Sequence, residues 1–297
     1  MTISFQTLQK SLFIRLFEYS VVFAAEAGYI KIPYYLCIGQ ELIPAICSDI
    51  LQGYAIFAQH RAHGYYLAFG GDPQMLVDEL LSLPTGCCGG RGGSASIQSK
   101  TIPMFGHSGF MGDNIPIGIG YSLATDKPVL IVAGDAAAEE DYSLTAAGYA
   151  ATKKANVIFL CEDNNLSILT PKSDRRSWEL DNVMSSFGIN SFDVPTNKLP
   201  DLESILRLCI QSSRPCFLNV HVQRAIWHAG SGFDGISNTD QLFKAVSELD
   251  CSSKDSLLSF DVDLITKYWK PHLKADDFIE LQNFLRSILS SSQLLRS

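Results

Sequence analysis

A strand–helix–strand segment in the middle of the chain constrains the fold more than any other feature. Residues 129–135 read VLIVAGD, a short apolar run stopped by Gly-Asp, and residues 156–162 read NVIFLCE. Continuous apolar runs of this length are typical of strands buried on both faces of a parallel sheet. Between them, residues 139–141 are acidic and residues 153–154 are basic, which suits the two ends of one helix. The segment therefore predicts an α/β fold, a mostly parallel sheet with helices on both faces.

The residues that follow the two strands are of the kind that binds a cation. A crossover places Asp135 and Asn164 at the same carboxyl edge of the sheet, where open α/β sheets bind their ligands. Magnesium takes oxygen ligands, usually a carboxylate together with phosphate oxygens. We therefore predict Asp135, Asn164 and the backbone carbonyl of Leu166 as metal ligands, and the amides of Ala136 and Ala137 as diphosphate donors. A plain βαβ unit with Asp and Asn as ordinary turn residues explains the same segment equally well.

This segment resembles the thiamine diphosphate motif, which begins Gly-Asp-Gly and ends Asn-Asn about one crossover later. Gly134, Asp135 and Ala136 lie at its start, with Ala136 in place of the second Gly. The alanine crowds the turn but keeps its backbone donor. The segment is most similar to alpha subunits of 2-oxo acid dehydrogenase first components, including pyruvate dehydrogenase. In that family the second Asn of a Glu-Asn-Asn turn is the ligand, which an ungapped count places on Asn164, with Asp163 replacing the first Asn.

Further segments resemble the same family in the same order along the chain. They include LCIGQE at 36–41, HRAHGYYLAFGG at 60–71, GGRGGSASI at 89–97 and RAIWHAG at 224–230. The resemblance implies a thiamine diphosphate-binding fold and a larger set of cofactor-binding residues: Arg61 on the diphosphate, Gly109, Phe110 and Met111 on the aminopyrimidine, and Arg224 and His228 facing the active site. We predict His228 and His63 as catalytic residues. Helix-bracing roles for Arg61 and His63, and an ordinary loop role for His228, remain open alternatives.

The resemblance also implies an activity and a partner. The cofactors would be thiamine diphosphate and Mg²⁺, and the chain would be the alpha subunit of an enzyme that decarboxylates a pyruvate-like 2-oxo acid. A separate beta subunit would supply the activating Glu within a heterotetramer. Transfer of the acyl unit to lipoamide on a lipoyl acyltransferase is the first expectation for this small-molecule chemistry.

Departures from the family pattern support two alternatives. Tyr35 replaces a His that contacts the substrate in pyruvate dehydrogenases. A carboligase, or transketolase-like two-carbon transfer in sugar or secondary-metabolite biosynthesis, is therefore the second expectation. Because Ala136 and Ser96 also depart from the pattern, a degenerate regulatory subunit without catalysis is the third.

Composition excludes several other classes. A formal net charge of −8 without a basic cluster disfavours a nucleic-acid surface. Charged residues interrupt the first predicted helix, residues 8–27, so we expect neither a membrane span nor a signal peptide. The eight cysteines have no CxxC spacing, which favours reduced thiols and a cytoplasmic location, although the adjacent Cys87 and Cys88 lie in a glycine-rich loop where exposure is plausible.

The chain predicts one large cofactor-binding domain followed by an extension. We expect residues 1–235 to form the α/β domain that binds the diphosphate half of the cofactor. Residues 236–297 then form a helical C-terminal extension, because apolar residues recur there at helical spacing over 242–295. The stretch after Asn165, which contains Ser173 and Ser177, is predicted to be a mobile active-site loop.

Overall fold

The computed structural model describes residues 3–232 and 240–290, apart from the side chain of Phe243. The described residues form two compact units that alternate along the chain. The sheet unit comprises residues 46–62 and 95–222, and the helical unit comprises the described parts of 2–45, 63–94 and 223–297. The predicted domain boundary after residue 235 lies outside the described residues, so the division into 1–235 and 236–297 stays a prediction.

Helices and strands are numbered separately along the chain. The α-helices are α1 (Phe5–Glu26), α2 (Leu42–Ile50), α3 (His63–Ala68), α4 (Pro73–Leu80), α5 (Asn114–Thr125), α6 (Asp135–Ala138), α7 (Asp141–Lys153), α8 (Lys172–Arg175), α9 (Leu180–Ser186), α10 (Leu202–Ile210), α11 (Gln241–Ser247), α12 (Cys251–Leu258), α13 (Asp263–Thr266) and α14 (Ala275–Ser290), with a 3₁₀ helix at Thr196–Asp201. The strands are β1 (Ala55–Phe57), β2 (Met104–Phe105), β3 (Val129–Gly134), β4 (Val157–Asp163), β5 (Leu166–Ser167), β6 (Thr170–Pro171), β7 (Asn190–Val194) and β8 (Cys216–His221).

The sheet unit is built on one parallel sheet. Its strand order is β2-β1-β3-β4-β8-β7, while β5 and β6 pair as a separate antiparallel hairpin. β3 and β4 are neighbours in parallel register, from Val129 opposite Val157 to Gly134 opposite Glu162. This is the adjacency that the strand–helix–strand pattern predicts. The predicted α/β fold with a mostly parallel sheet is confirmed.

Burial on both faces of the sheet explains the continuous apolar runs. Successive side chains of a strand point to opposite faces, yet every residue from Val129 to Ala133 is at most 5% exposed. Helices α5, α7 and α9 cover one of these faces, where they bury Ile115, Ala147 and Met184 against the strands. Neither face of β3 is therefore polar, and the predicted site residues lie beyond the strand ends.

The connection between β3 and β4 differs from the single helix that the charge pattern predicts. The short helix α6 follows β3 directly, and α7 begins at Asp141 with Glu140 as its N-cap residue. Glu139 ends α6, so the three acidic residues do not share one helical turn. Lys154 closes α7 with a φ of 53°.

The helical unit contains the predicted N-terminal and C-terminal helices. α1 is capped by the Ser4 hydroxyl, which accepts a hydrogen bond from the Thr7 amide at 3.0 Å. Its Arg15 is buried, and it forms ion pairs with Glu41 and Asp240, the latter at 2.7 Å. No helix within residues 3–232 and 240–290 has the length and apolar content needed to cross a bilayer.

The predicted C-terminal extension is helical as far as residue 290. Helices α11 to α14 account for most of residues 241–290, and α14 buries Leu281, Leu285 and Leu289 along one stripe. Residues 291–295 of the predicted helical region lie outside the described residues.

Candidate active site

Strand β3 delivers Asp135 to the carboxyl edge of the sheet. The strand ends at Gly134, whose amide donates a hydrogen bond to Oε1 of Gln59 at 3.1 Å. Asp135 is the first residue of α6 and is 1% exposed, with Ala136 and Ala137 next in the helix. Amides in the first turn of a helix have no partner within that helix, so they are available to a ligand or another group.

Strand β4 places Asn164 at the same edge. Because β3 and β4 are parallel neighbours, the residues that follow them leave the sheet side by side. The Asn164 side-chain oxygen accepts a hydrogen bond from the Leu166 amide at 3.0 Å, and the Asp163 carboxylate accepts one from the Asn165 amide at 2.9 Å. These two turns fix the direction in which the chain leaves β4. The predicted pair, Asp135 and Asn164, therefore flanks one point of the sheet edge.

Strand β1 brings Arg61 to this edge as well. β1 pairs with β3 on the side opposite β4, and Arg61 follows its last residue, Phe57, by four positions. Arg61 is 8% exposed. A guanidinium at this edge carries a permanent positive charge and a planar set of donors, which suit a diphosphate.

The predicted aminopyrimidine loop packs directly against α6. Gly112 has a φ of 92°, and a Cβ on it would lie 2.7 Å from the Ala137 carbonyl oxygen. The Tyr142 hydroxyl donates a hydrogen bond to the Met111 carbonyl, while Gly109 adopts a φ of 107° and Phe110 is 76% exposed. The sheet unit thus brings the predicted loop residues next to the predicted diphosphate residues.

A cationic segment that sequence analysis missed covers the acidic residues. We name residues 166–176 the cationic strap. They form the β5–β6 hairpin, α8 and Arg176, and apart from the Leu166 carbonyl they were predicted as a mobile loop. Arg175 donates to Asp135 at 2.5 Å and to Glu139 at 2.5 Å, and Lys172 donates to Asp163 at 2.7 Å. The Lys-Ser-Asp-Arg-Arg run at 172–176 was the available signal, since it is the basic counterpart of the acidic residues that follow β3 and end β4.

Burial and these cations act in opposite directions on the two aspartates. Burial raises the pKa of Asp135, and the Arg175 guanidinium only partly offsets this effect. Burial also opposes ionisation of Asp163, but the Lys172 ammonium and the Asn165 amide outweigh it and lower the pKa of this carboxyl. Asp163 is therefore the more strongly stabilised anion of the two.

His63, Arg224 and His228 belong to the helical unit. His63 is fully buried; its Nδ1 lies 2.8 Å from the Glu18 carboxylate and its Nε2 lies 2.9 Å from the Ser94 hydroxyl. Both ring nitrogens thus have protein partners, which favours a positioning role over direct contact with a substrate. The catalytic role of His63 stays a prediction.

In the helical unit, the LCIGQE turn at 36–41 lies against the RAIWHAG loop at 224–230. The Ala225 amide donates to the Ile38 carbonyl at 3.3 Å, and Arg224 is 2% exposed. The His228 ring contacts the Tyr35 ring edge-on, with centroids 5.5 Å apart. Tyr35, the residue that replaces the family His, therefore lies directly against the predicted catalytic His228.

Comparison with known proteins supports one family. Residues 11–202 match the model of the dehydrogenase E1 component family. The chain belongs to this family. The resemblance to 2-oxo acid dehydrogenase alpha subunits is thereby confirmed.

Relatives of this E1 family member include named pyruvate dehydrogenase E1 alpha subunits. Over 149 residues the chain is 34% identical to the mitochondrial subunit of Dictyostelium discoideum, covering 48% of this chain and 38% of that protein. It is 32% identical to the human somatic mitochondrial form over 145 residues, which covers 46% of this chain and 36% of that protein. The Rickettsia prowazekii subunit is 26% identical over 210 residues, with coverages of 66% and 64%. The chain therefore spans less than two thirds of the length of these relatives.

Solved structures support the fold of the E1 family member. Transketolase from Campylobacter jejuni matches with a TM-score of 0.60 and 16% identity, over 100% of this chain and 49% of that chain. A transketolase mutant from Pichia stipitis matches with a TM-score of 0.58 and 13% identity, over 98% and 48%. At these identities the likeness concerns the fold alone.

The donor set at the sheet edge fits a magnesium-bound diphosphate. Asp135 offers a carboxylate oxygen, Asn164 an amide oxygen and Leu166 a backbone carbonyl, which are the hard ligands that Mg²⁺ takes. For the diphosphate, Arg61 supplies a positive charge and the α6 amides supply hydrogen-bond donors. Oxygen atoms of the kind that binds a cation and donors of the kind that binds an anion thus occur at one edge.

Proposed function

We propose that this chain is the alpha subunit of a thiamine diphosphate-dependent enzyme that decarboxylates a pyruvate-like 2-oxo acid. The observation that carries the proposal is the sheet edge itself, where neighbouring strands β1, β3 and β4 deliver Arg61, Asp135 and Asn164. A plain βαβ unit would not require an arginine after the end of the neighbouring strand β1.

Each predicted residue has a task in this proposal. Asp135, Asn164 and the Leu166 carbonyl hold Mg²⁺, while Arg61 and the amides of Ala136 and Ala137 bind the diphosphate. When bound, thiamine diphosphate supplies the nucleophilic carbon and the electron sink that decarboxylation of a 2-oxo acid requires.

The loop after His107 orients the other end of the cofactor. Backbone groups of Gly109 and Met111 would contact the aminopyrimidine ring. The hydrogen bond from the Tyr142 hydroxyl to the Met111 carbonyl fixes the position of this loop. Phe110, which is 76% exposed, supplies apolar area that a bound ring would cover. We assign proton transfer near the substrate to His228, with Arg224 as its neighbour in the same loop.

The remaining half of the active site belongs to a partner. Because the family resemblance implies that the activating Glu comes from a beta subunit, we propose a heterotetramer with the cofactor at the alpha–beta interface. A lipoyl acyltransferase is the first candidate acceptor.

We also propose a cytoplasmic location, which rests on the buried thiols of Cys37, Cys47 and Cys161.

A second candidate function is carboligation, with transfer of the two-carbon unit to a carbonyl acceptor. It is supported by Tyr35, which stands in the place of the substrate-contacting His and packs on His228. Incubating the assembled enzyme with pyruvate and either lipoamide or a small aldehyde, and analysing products by mass spectrometry, separates the two. A degenerate regulatory subunit is less well supported, because Arg61, Asp135 and Asn164 are all present.

Cofactor titration tests the proposal. The chain is co-purified with a candidate beta subunit, and thiamine diphosphate is titrated with and without Mg²⁺ by calorimetry. We expect saturable binding that requires Mg²⁺, and Asp135→Ala should abolish it because the metal loses its carboxylate ligand. Unchanged affinity in Asp135→Ala would show that the metal assignment is wrong.

A further inference from the structure

Gln59 is a buried side chain that the predicted site does not use. It follows β1 by two positions, two residues before Arg61, and is 5% exposed. Its Oε1 accepts the Gly134 amide at 3.1 Å, so the side chain links the end of β1 to the turn that precedes Asp135. Its Nε2 is buried and has no hydrogen-bond partner among the described residues.

The hydrogen bond from the Gly134 amide determines which end of the Gln59 carboxamide has no partner in the described part of the chain. An amide oxygen accepts and an amide nitrogen donates, so the acceptance from Gly134 assigns Oε1 and leaves the NH₂ group as the unused end. Since the carboxamide is small and planar, this NH₂ lies close to Gly134, beside the start of α6. A buried donor without a partner costs about 1–3 kcal/mol, which is a reason for a protein not to retain one unless something uses it.

The unpartnered NH₂ group of Gln59 is suited to bind an anion. An NH₂ donor cannot coordinate a cation, whereas an oxyanion accepts its hydrogens readily. Arg61 and the α6 amides, the other donors at this point, are suited to the same kind of ligand. We propose that the Gln59 NH₂ is a direct hydrogen-bond donor to the diphosphate of the cofactor, an inference that rests on the proposed function.

Two substitutions distinguish a role of Gln59 in ligand binding from a purely structural role. Gln59→Glu keeps an oxygen for the Gly134 amide but replaces the NH₂ with a carboxylate oxygen, which would repel a diphosphate. Gln59→Met fills similar space and removes both polar ends. Gln211→Glu, at an exposed position in the same unit, is the control for the added charge.

Binding is measured on the full chain, co-purified with its beta subunit, by calorimetry at saturating Mg²⁺. The probes are thiamine diphosphate and inorganic pyrophosphate. We expect Gln59→Glu to weaken the affinity for both at least 100-fold, Gln59→Met to weaken it about ten-fold, and Gln211→Glu to leave it unchanged.

Thermal unfolding without ligand gives a second readout. Gln59→Met removes the unpartnered donor together with the acceptor of the Gly134 amide, and these two changes oppose each other, so the ligand-free variant should melt close to the wild-type temperature while binding more weakly. A Gln kept only to brace Gly134 would give a lower melting temperature and wild-type affinity, and that result would overturn the inference. If Gln59→Glu fails to fold, Gln59→Met decides by the same two measurements.

Failure of this inference is distinguishable from failure of the proposed function. A wild-type chain that binds neither thiamine diphosphate nor pyrophosphate would reject the proposed function itself. A wild-type chain that binds both, with Gln59→Glu within two-fold of it, would reject only the role of Gln59.

Discussion

A single carboxylate, Glu79, organises the glycine-rich loop that the sequence singles out. It is fully buried and accepts hydrogen bonds of 2.7–2.9 Å from the amides of Cys88, Gly90, Gly92 and Gly93. The Cys87 and Cys88 sulfur atoms lie 3.9 Å apart in this loop, close enough to Glu79 to suggest a metal site. However, both carboxylate oxygens are already occupied by amides, so Glu79 is better explained as the anchor of the loop.

Removing this anchor should destabilise the chain strongly. We expect Glu79→Ala to lower the free energy of unfolding by about 3 kcal/mol, because several buried amides lose their acceptor at once. Urea unfolding followed by circular dichroism measures the change. Glu203→Ala is the matched control: the Glu203 side chain is 44% exposed and pairs across one helical turn with Arg207, so its loss should cost at most about 0.5 kcal/mol. Equal effects in both variants would contradict the anchor role.

At the scale of elements, the cationic strap balances the acidic strand ends. Its three basic residues, Lys172, Arg175 and Arg176, contact Asp163, Asp135 and Glu139. A metal ion bound to Asp135 would share that carboxylate with Arg175. Positive charge from the strap and from the metal would then compete for the same oxygen atoms.

This competition predicts opposite effects of Arg175→Gln on stability and on metal affinity. In metal-free buffer the variant should lose about 1–3 kcal/mol of unfolding free energy, because Asp135 loses a charged partner. The Mg²⁺ concentration needed for half-maximal thiamine diphosphate binding should fall several-fold, because the cation meets one less positive charge. Arg207→Gln, an exposed arginine, should change neither quantity. A higher Mg²⁺ requirement in Arg175→Gln would show that Arg175 assists the ligand instead of competing with the metal.

The close approach between the aminopyrimidine loop and α6 makes Gly112 intolerant of a side chain. A Cβ there would lie 2.5 Å from the Ser143 hydroxyl oxygen and 2.7 Å from the Ala137 carbonyl, at a φ of 92°. We expect Gly112→Ala to cost at least about 2 kcal/mol in urea unfolding and to weaken cofactor binding by displacing α6.

Gly120, in the helix that follows the same loop, provides the matched control for Gly112. A Cβ at Gly120 meets nothing within 4 Å, and the residue lies inside α5. Gly120→Ala should therefore raise the unfolding free energy by about 0.5–1 kcal/mol. If both alanines were tolerated equally, the packing of the loop on α6 would not be the reason for Gly112.

At the scale of the whole molecule, the local pattern of apolar residues predicted the strands but did not predict the long-range contacts. The apolar runs predict β3 and β4 to within one residue at each end, because burial on both faces leaves an uninterrupted pattern. The β5–β6 hairpin has strands of two residues, too short for any alternation. The partners of Arg175 lie 36 and 40 residues away along the chain, and nothing in the local sequence specifies them. The fold and family are therefore confirmed, while the roles of the site residues stay predictions.

The proposed heterotetramer requires a surface for the beta subunit, and α5 offers one. Ile117 and Leu123 on this helix are 51% and 38% exposed, and Phe110 in the preceding loop is 76% exposed. An apolar group next to the predicted cofactor residues is typical of a surface that a partner covers. Because Ile117 is exposed in the chain itself, a charge there should disturb assembly more than folding.

We therefore expect Ile117→Glu to abolish co-purification with the beta subunit and to change the unfolding free energy of the isolated chain by less than about 0.5 kcal/mol. Size-exclusion chromatography with light scattering measures assembly, and urea unfolding measures stability. Leu208→Glu is the matched control, since Leu208 is 57% exposed on α10. It should assemble normally. A variant Ile117→Glu that still forms the complex in wild-type yield would place the beta subunit on another surface, and the exposed apolar residues of α5 would then need a different occupant.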